Sequence, residues 1–193
     1  MQYFENDENL AHEYLDFSYN FGRHTYKFRT DSGTFSHGHI DSETAFLMAN
    51  MKGLSGDFLD LGCGCGCIGI IMAKEYGLNL TQVDVNRRVI DVANYNRAQN
   101  GLDGEALLSD CYEAVSGLKF DTIALNPPIH AGKEVMYRMY DEAPLHLKEG
   151  GRFFIVIQKK HGADSTFRHL QTVFSSVEKI AKDGGVFVIC CHN

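Results

Sequence analysis

Residues 57–69 read DFLDLGCGCGCIG. An apolar run carrying Asp60 gives way to glycines at alternate positions, Gly62, Gly64 and Gly66. That spacing suits a strand turning sharply into a helix, with bare backbone against which a ligand can lie. About sixty residues later, DTIALNPPIH at 121–130 is a second apolar strand, stopped by Asn126, Pro127 and Pro128. Neither proline can donate a backbone N–H, so the chain there forms a rigid corner rich in acceptors. A glycine loop for a nucleotide-like cofactor, beside a corner able to hold an amino group, points to group transfer onto nitrogen.

Outward from these two stretches the chain repeats strand and helix. Upstream, YLDFSYNFGRHTYKFR (14–29) alternates with period two on both sides of Asn20-Phe21-Gly22-Arg23 and predicts a β-hairpin. A loop, TDSGTFSHGHID, leads to a short helix over SETAFLMANMKG, with Ser42 as its expected N-cap. After DFLDL come a helix ending at Gly77, the strand LNLTQVDV, a helix capped by Asn86 and stopped at Gly101, and the strands EALLSD and FDTIALN. AGKEVMYRMYDEAPLHLKEGG predicts a helix that Pro144 kinks or shortens. The apolar strand RFFIVIQ, the helix ADSTFRHLQTVF and a hairpin around Asp183-Gly184-Gly185 complete the order. The pattern predicts an α/β fold: a doubly wound, mostly parallel sheet with helices on both faces, in which the last hairpin supplies one antiparallel strand. At 193 residues it reads as one domain, with residues 1–56 an N-terminal extension and 57–193 the core.

Composition narrows the function classes. A net charge of −7 argues against a broadly basic, sequence-blind nucleic-acid binder. The charge is uneven: residues 1–126 hold 9 basic and 18 acidic side chains, net −9, whereas 127–193 hold 9 and 7, net +2. Gln158-Lys159-Lys160-His161 follows a predicted strand in that second part, where phosphate contacts compete with simple solvation. No apolar run approaches the ~18 residues of a membrane span. The acidic start lacks the features of a signal sequence, so a cytoplasmic protein is expected. Cys63, Cys65 and Cys67 alternate with glycine, unlike the paired C-x₂₋₄-C spacing of zinc sites. These and Cys111, Cys190 and Cys191 read as small loop and core side chains, and no metal is expected.

The succession DLGCGCG, TQVD with Asp84, SDCY with Asp110, then NPPI resembles a class I S-adenosylmethionine-dependent methyltransferase. The longer run NPPIHAGKEV, with TDSGTFS at 30–36, is similar to the small-domain methyltransferases related to the small-subunit ribosomal RNA guanine-N2 methyltransferases. The resemblance spans roughly residues 25–190 and implies a seven-stranded sheet, S-adenosylmethionine as cofactor and an RNA partner. Asp60 would balance the cofactor's ammonium or position it through the loop, and Gly62, Gly64 and Gly66 would let its tail and ribose approach the main chain. Asp84 would accept the ribose hydroxyls, a carboxylate being an acceptor at both oxygens. Asp110 would face the adenine amino group. At the acceptor corner, Asn126 and the Pro127 carbonyl would grip the two hydrogens of an exocyclic amine, beside Pro128 and Ile129. Enzymes of the resembled family commonly carry an aromatic residue where Ile129 stands; a branched aliphatic still packs against a base but loses the stacking contribution of ~1–3 kcal/mol per base. Phe35 or His130 could supply a face instead, a reading that competes with core or surface roles for both. His37 and His39 read as surface residues, and Lys133 and Arg138 as solvated helix positions.

Other readings compete. Gly64-x-Gly66-x-x-Gly69, with Asp84 twenty residues after Gly64, also matches a dinucleotide fingerprint. The earlier Gly62 and the Asn-Pro-Pro corner have no task in hydride transfer. A protein glutamine amide, as in a release factor, or a small amine also offers a planar NH₂. A non-catalytic RNA-binding module would bind without turnover. Whether the chain is a monomer or a homodimer stays open.

Overall fold

The computed structural model describes residues 11–32 and 38–193; Phe35 and His37 lie outside them. The chain opens with an antiparallel hairpin, β1 (Tyr14–Phe21) and β2 (His24–Asp31), turning at Gly22 as its alternation predicts. Helix α1 (Ser42–Asn50) follows. Its cap is Asp41 rather than the expected Ser42: the Asp41 carboxylate accepts from the Glu43 and Thr44 N–H groups. The carboxylate thus takes two of the orphan donors of the first turn and also complements the helix dipole.

The remainder alternates as expected: β3 (Asp57–Leu61), α2 (Cys67–Tyr76), β4 (Asn79–Asp84), α3 (Arg87–Gln99), β5 (Leu107–Leu108), β6 (Phe120–Leu125), α4 (Lys133–Glu142), β7 (Leu147–Gln158), α5 (Ala163–Val173), β8 (Ser176–Asp183) and β9 (Val186–His192). β5 pairs over two residues where six were expected, because it is an edge strand held by β4 alone. α4 gives way at Ala143 to a tight 3₁₀ turn through His146 that contains Pro144, which shortens the helix as predicted. β7 begins five residues before RFFIVIQ, with a register shift against β6.

The sheet order is β5-β4-β3-β6-β7-β9-β8. β3, β4, β5, β6 and β7 pair in parallel, and β9 runs antiparallel to both β7 and β8, so β9 is the single reversed strand. Both faces of the central strands are covered, and period-two alternation divides them. Leu59, Leu61, Ile123, Leu125, Phe153, Ile155 and Ile189 enter the core beneath α4 and α5. Phe58, Ala124, Phe154, Val156 and Val188 enter the opposite core with α1, α2 and the hairpin. This burial explains why β7 reads as a continuous apolar run. The hairpin is fastened by Asn96, fully buried in α3: its Oδ1 accepts from Arg29 N at 2.7 Å, and its Nδ2 donates to Arg29 O and Cys65 O at 2.9 and 2.8 Å. One side chain therefore ties hairpin, helix and glycine loop together.

Candidate active site

Strand order reverses between β3 and β6, which lie side by side with Leu61 opposite Leu125. Such a switch point leaves a crevice at the carboxyl ends of the strands. The bend after Leu61 and the bend after Leu125 open into one cleft of about 210 Å³. Its lining follows the strand order: Asp110 after β5, Asp84 at the end of β4, Gly62 and Gly64 after β3, and Asn126, Pro127, Pro128 and Ile129 after β6.

The glycine loop is held from below. Gly62, Gly64 and Gly66 have φ of +66°, +53° and +86°, a region costly for side-chain-bearing residues. Gly64 N–H donates to Asp84 Oδ2 and Asn86 N–H to Asp84 Oδ1, both at 2.9 Å. Asp84 is thus a structural strut as well as part of the cleft wall.

Two expected ligand residues stand elsewhere. Asp60 is fully buried and does not line the cleft. Its Oδ2 accepts from Gly69 N–H and Gln82 Nε2, both at 2.9 Å, while Oδ1 has no hydrogen-bond partner among the described residues. Burial pushes its pKa up to about 7, against the opposing effect of these two donors. Of the two roles expected for Asp60, positioning through the loop matches this placement. Gly66 also turns away from the cleft. A Cβ there would meet Gln82 Nε2 at 2.9 Å, so this glycine serves close packing of α2 on β4.

At the other end, Asn126 Nδ2 donates to Thr44 Oγ1 at 3.0 Å. No other hydrogen bond joins Asn126's side chain to a described residue, and its Oδ1 remains an open acceptor. Ile129 begins a 3₁₀ turn through Ala131 and packs on the core while touching the cleft. His130 and His39 also line it; His39 is exposed, as expected, and stands at the cleft. Arg138, expected to be solvated, pairs with the Asp110 carboxylate and donates to Cys111 Sγ at 3.0 and 3.2 Å.

Sequence reasoning missed Gln82, Asn96, Glu43 and Thr44. Gln82 is fully buried and joins Asp60, the Gly66 carbonyl and Arg97. A glutamine inside an apolar strand, TQVD, was its available signal. Glu43 lines the cleft and takes a hydrogen bond from Gln158 at the end of β7. Nothing local distinguishes Thr44 from any first-turn helix residue.

The sequence pattern of the methyltransferase small domain matches residues 25–190. The chain belongs to that family. Among curated proteins, YbxB of Bacillus subtilis is 36% identical over 169 residues, 85% of this chain and 84% of its own. Ribosomal RNA small subunit methyltransferase C of Aeromonas hydrophila is 36% identical over 159 residues, 78% of this chain and 44% of its own. A solved 16S rRNA N2 guanine methyltransferase of T. thermophilus, in complex with AdoMet and guanosine, superposes with a TM-score of 0.84 at 25% identity, covering 93% of this chain and 50% of that one. The chain spans about half the length of these last two relatives. Family membership removes the hydride-transfer reading of the glycine fingerprint.

Proposed function

We propose that the protein is an S-adenosylmethionine-dependent N-methyltransferase acting on the exocyclic N2 amine of a guanine in small-subunit ribosomal RNA. The observation carrying this reading is the meeting of the glycine loop and the Asn126-Pro127-Pro128 corner in one cleft. Kinship with proteins named for small-subunit ribosomal RNA methylation supports the acceptor. An RNA acceptor of that kind fits a cytoplasmic protein.

The residues present fit the cofactor. A Cβ built on Gly62 would have Leu125 Cδ1 at 3.9 Å as its nearest neighbour, so open backbone borders the cleft there. Gly62 and Gly64 would take the amino-acid tail, Asp84 the ribose hydroxyls and Asp110 the adenine amine, with Asp60 and Gly66 shaping the loop from behind. When bound, S-adenosylmethionine supplies an electrophilic methyl group, whose C–S bond breaks as the N–C bond forms, leaving a neutral thioether.

The chain's own part is orientation. An exocyclic amine conjugated to a base is a poor nucleophile because its lone pair is delocalised. Asn126 Oδ1 and the Pro127 carbonyl would accept its two hydrogens, aim the nitrogen and favour pyramidal geometry. Well-oriented systems gain up to ~7–11 kcal/mol this way. No strong base is needed in advance, since the nitrogen becomes acidic as the new bond forms and its proton passes to water. The 3₁₀ turn at Ile129–Ala131 would place Ile129 and His130 beside the base.

The test offers labelled cofactor with free ribosomal RNA, assembled small subunits and release factors in separate reactions. Label in RNA is expected. Label in protein alone would transfer the same corner to a glutamine amide and overturn the RNA assignment.

A further inference from the structure

Resting on that reading, we infer that Thr44 is a positioning residue of the methyl-transfer site, holding the Asn126 amide so that its carbonyl oxygen faces the acceptor amine. An asparagine side chain has one accepting and one donating end of nearly equal size. Only the accepting end helps: Nδ2 turned toward an amine N–H would set donor against donor. An isolated amide can present either end, so something must hold the donating end away from the cleft.

Thr44 is placed for that task. It is 7% exposed, and its Oγ1 receives Asn126 Nδ2 at 3.0 Å across 82 residues of sequence. A hydroxyl can accept from Nδ2 or donate to Oδ1. Once an amine supplies its own N–H groups to the cleft, the arrangement with Nδ2 on Thr44 is the one that leaves the carbonyl for the amine. Thr44 is itself held firmly. Its N–H donates to the capping carboxylate of Asp41 at 2.9 Å, and α1 packs against β7 and β9. The first turn of α1 therefore acts as a fixed bracket behind the corner. Its neighbour Glu43, fastened by Gln158, closes the same wall. This placement also gives residues before the core a direct task in the reaction: the helix ahead of the glycine loop orients a group that follows β6.

The test compares wild type with Thr44→Val and Thr44→Ser, each also examined with Asn126→Ala. Valine keeps the β-branched shape and removes the hydroxyl; serine keeps the hydroxyl and loses a methyl group. Thr44→Val is expected to lower kcat about tenfold or more, the range of one lost hydrogen bond to a catalytic group. S-adenosylmethionine affinity, read by calorimetry, should stay within about threefold. Thr44→Ser should restore most turnover. Thermal unfolding of the valine variant separates misfolding from misorientation, because serine would not rescue turnover while Tm stayed level if only packing mattered. Unchanged kcat in Thr44→Val, with Asn126→Ala inactive, overturns the proposal and leaves the methyltransferase reading standing. Full activity in Asn126→Ala overturns both.

Discussion

At the residue scale the account turns on which groups touch reactants and which hold those that do. Asn126→Ala should reduce turnover at least a hundredfold while S-adenosylmethionine binds within about threefold of wild type, read by single-turnover kinetics beside calorimetry. A matching loss of affinity would mean that Asn126 belongs to the cofactor side. Arg138 stands one step back. Its guanidinium pairs with the Asp110 carboxylate in the cleft wall, so Arg138→Ala should weaken cofactor binding several-fold and leave saturated kcat nearly unchanged. The sequence shows Asn126, Pro127 and the strand-end acids because their positions follow strands that local pattern reveals. Thr44 and Arg138 escape such a reading. Their significance lies in what stands opposite, across 82 and 28 residues of chain, and spacing carries no signal of that kind.

At the element scale, strands and helices follow from periodicity, and the departures arise where tertiary contacts decide. β5 shrinks to two residues at an edge, and Asp41 replaces Ser42 as the cap because its carboxylate reaches two N–H groups. The glycine loop shows the same division. Alternate glycines announce a turn, yet they do not say which glycine faces a ligand and which faces the sheet. Gly66 and Gly69 face inward, where a Cβ at 69 would lie 2.7–2.9 Å from Leu80 Cδ1, Gln82 Nε2 and Asp60 Oδ2. Gly69→Ala should therefore destabilise the fold by about 1–3 kcal/mol in denaturant titration, as overpacking does. Asn96→Ala removes one fastening of the hairpin and leaves half-buried backbone groups of Arg29 and Cys65 without their partner. It should cost about 1–3 kcal/mol and raise amide exchange first in β2, and level exchange across the hairpin would contradict the fastening.

At the scale of the whole molecule, one buried carboxyl couples stability to pH. Asp60 has its pKa pushed up to about 7 by burial, above its unfolded value. Its contribution is therefore fully present at acid pH below the unfolded value and is lost as pH rises toward and through about 7. Other carboxylates act in the opposite sense: Lys148 holds Asp57 and Asp121 low, so their contribution fades on acidification. Comparing wild type with Asp60→Asn isolates the first effect. Between pH 4 and 7 the variant should gain on wild type by up to a few kcal/mol, since asparagine never ionises. A gap independent of pH would mean that Asp60 is charged throughout.

The two motifs that announce the site reach one cleft because β3 and β6 are neighbours where the sheet reverses direction. Nucleoside analysis of small-subunit ribosomal RNA after incubation with S-adenosylmethionine tests most directly what that cleft does. The account predicts N2-methylguanosine with wild-type protein and its absence with Asn126→Ala. A methyl group on another base, or on no nucleoside at all, would contradict it.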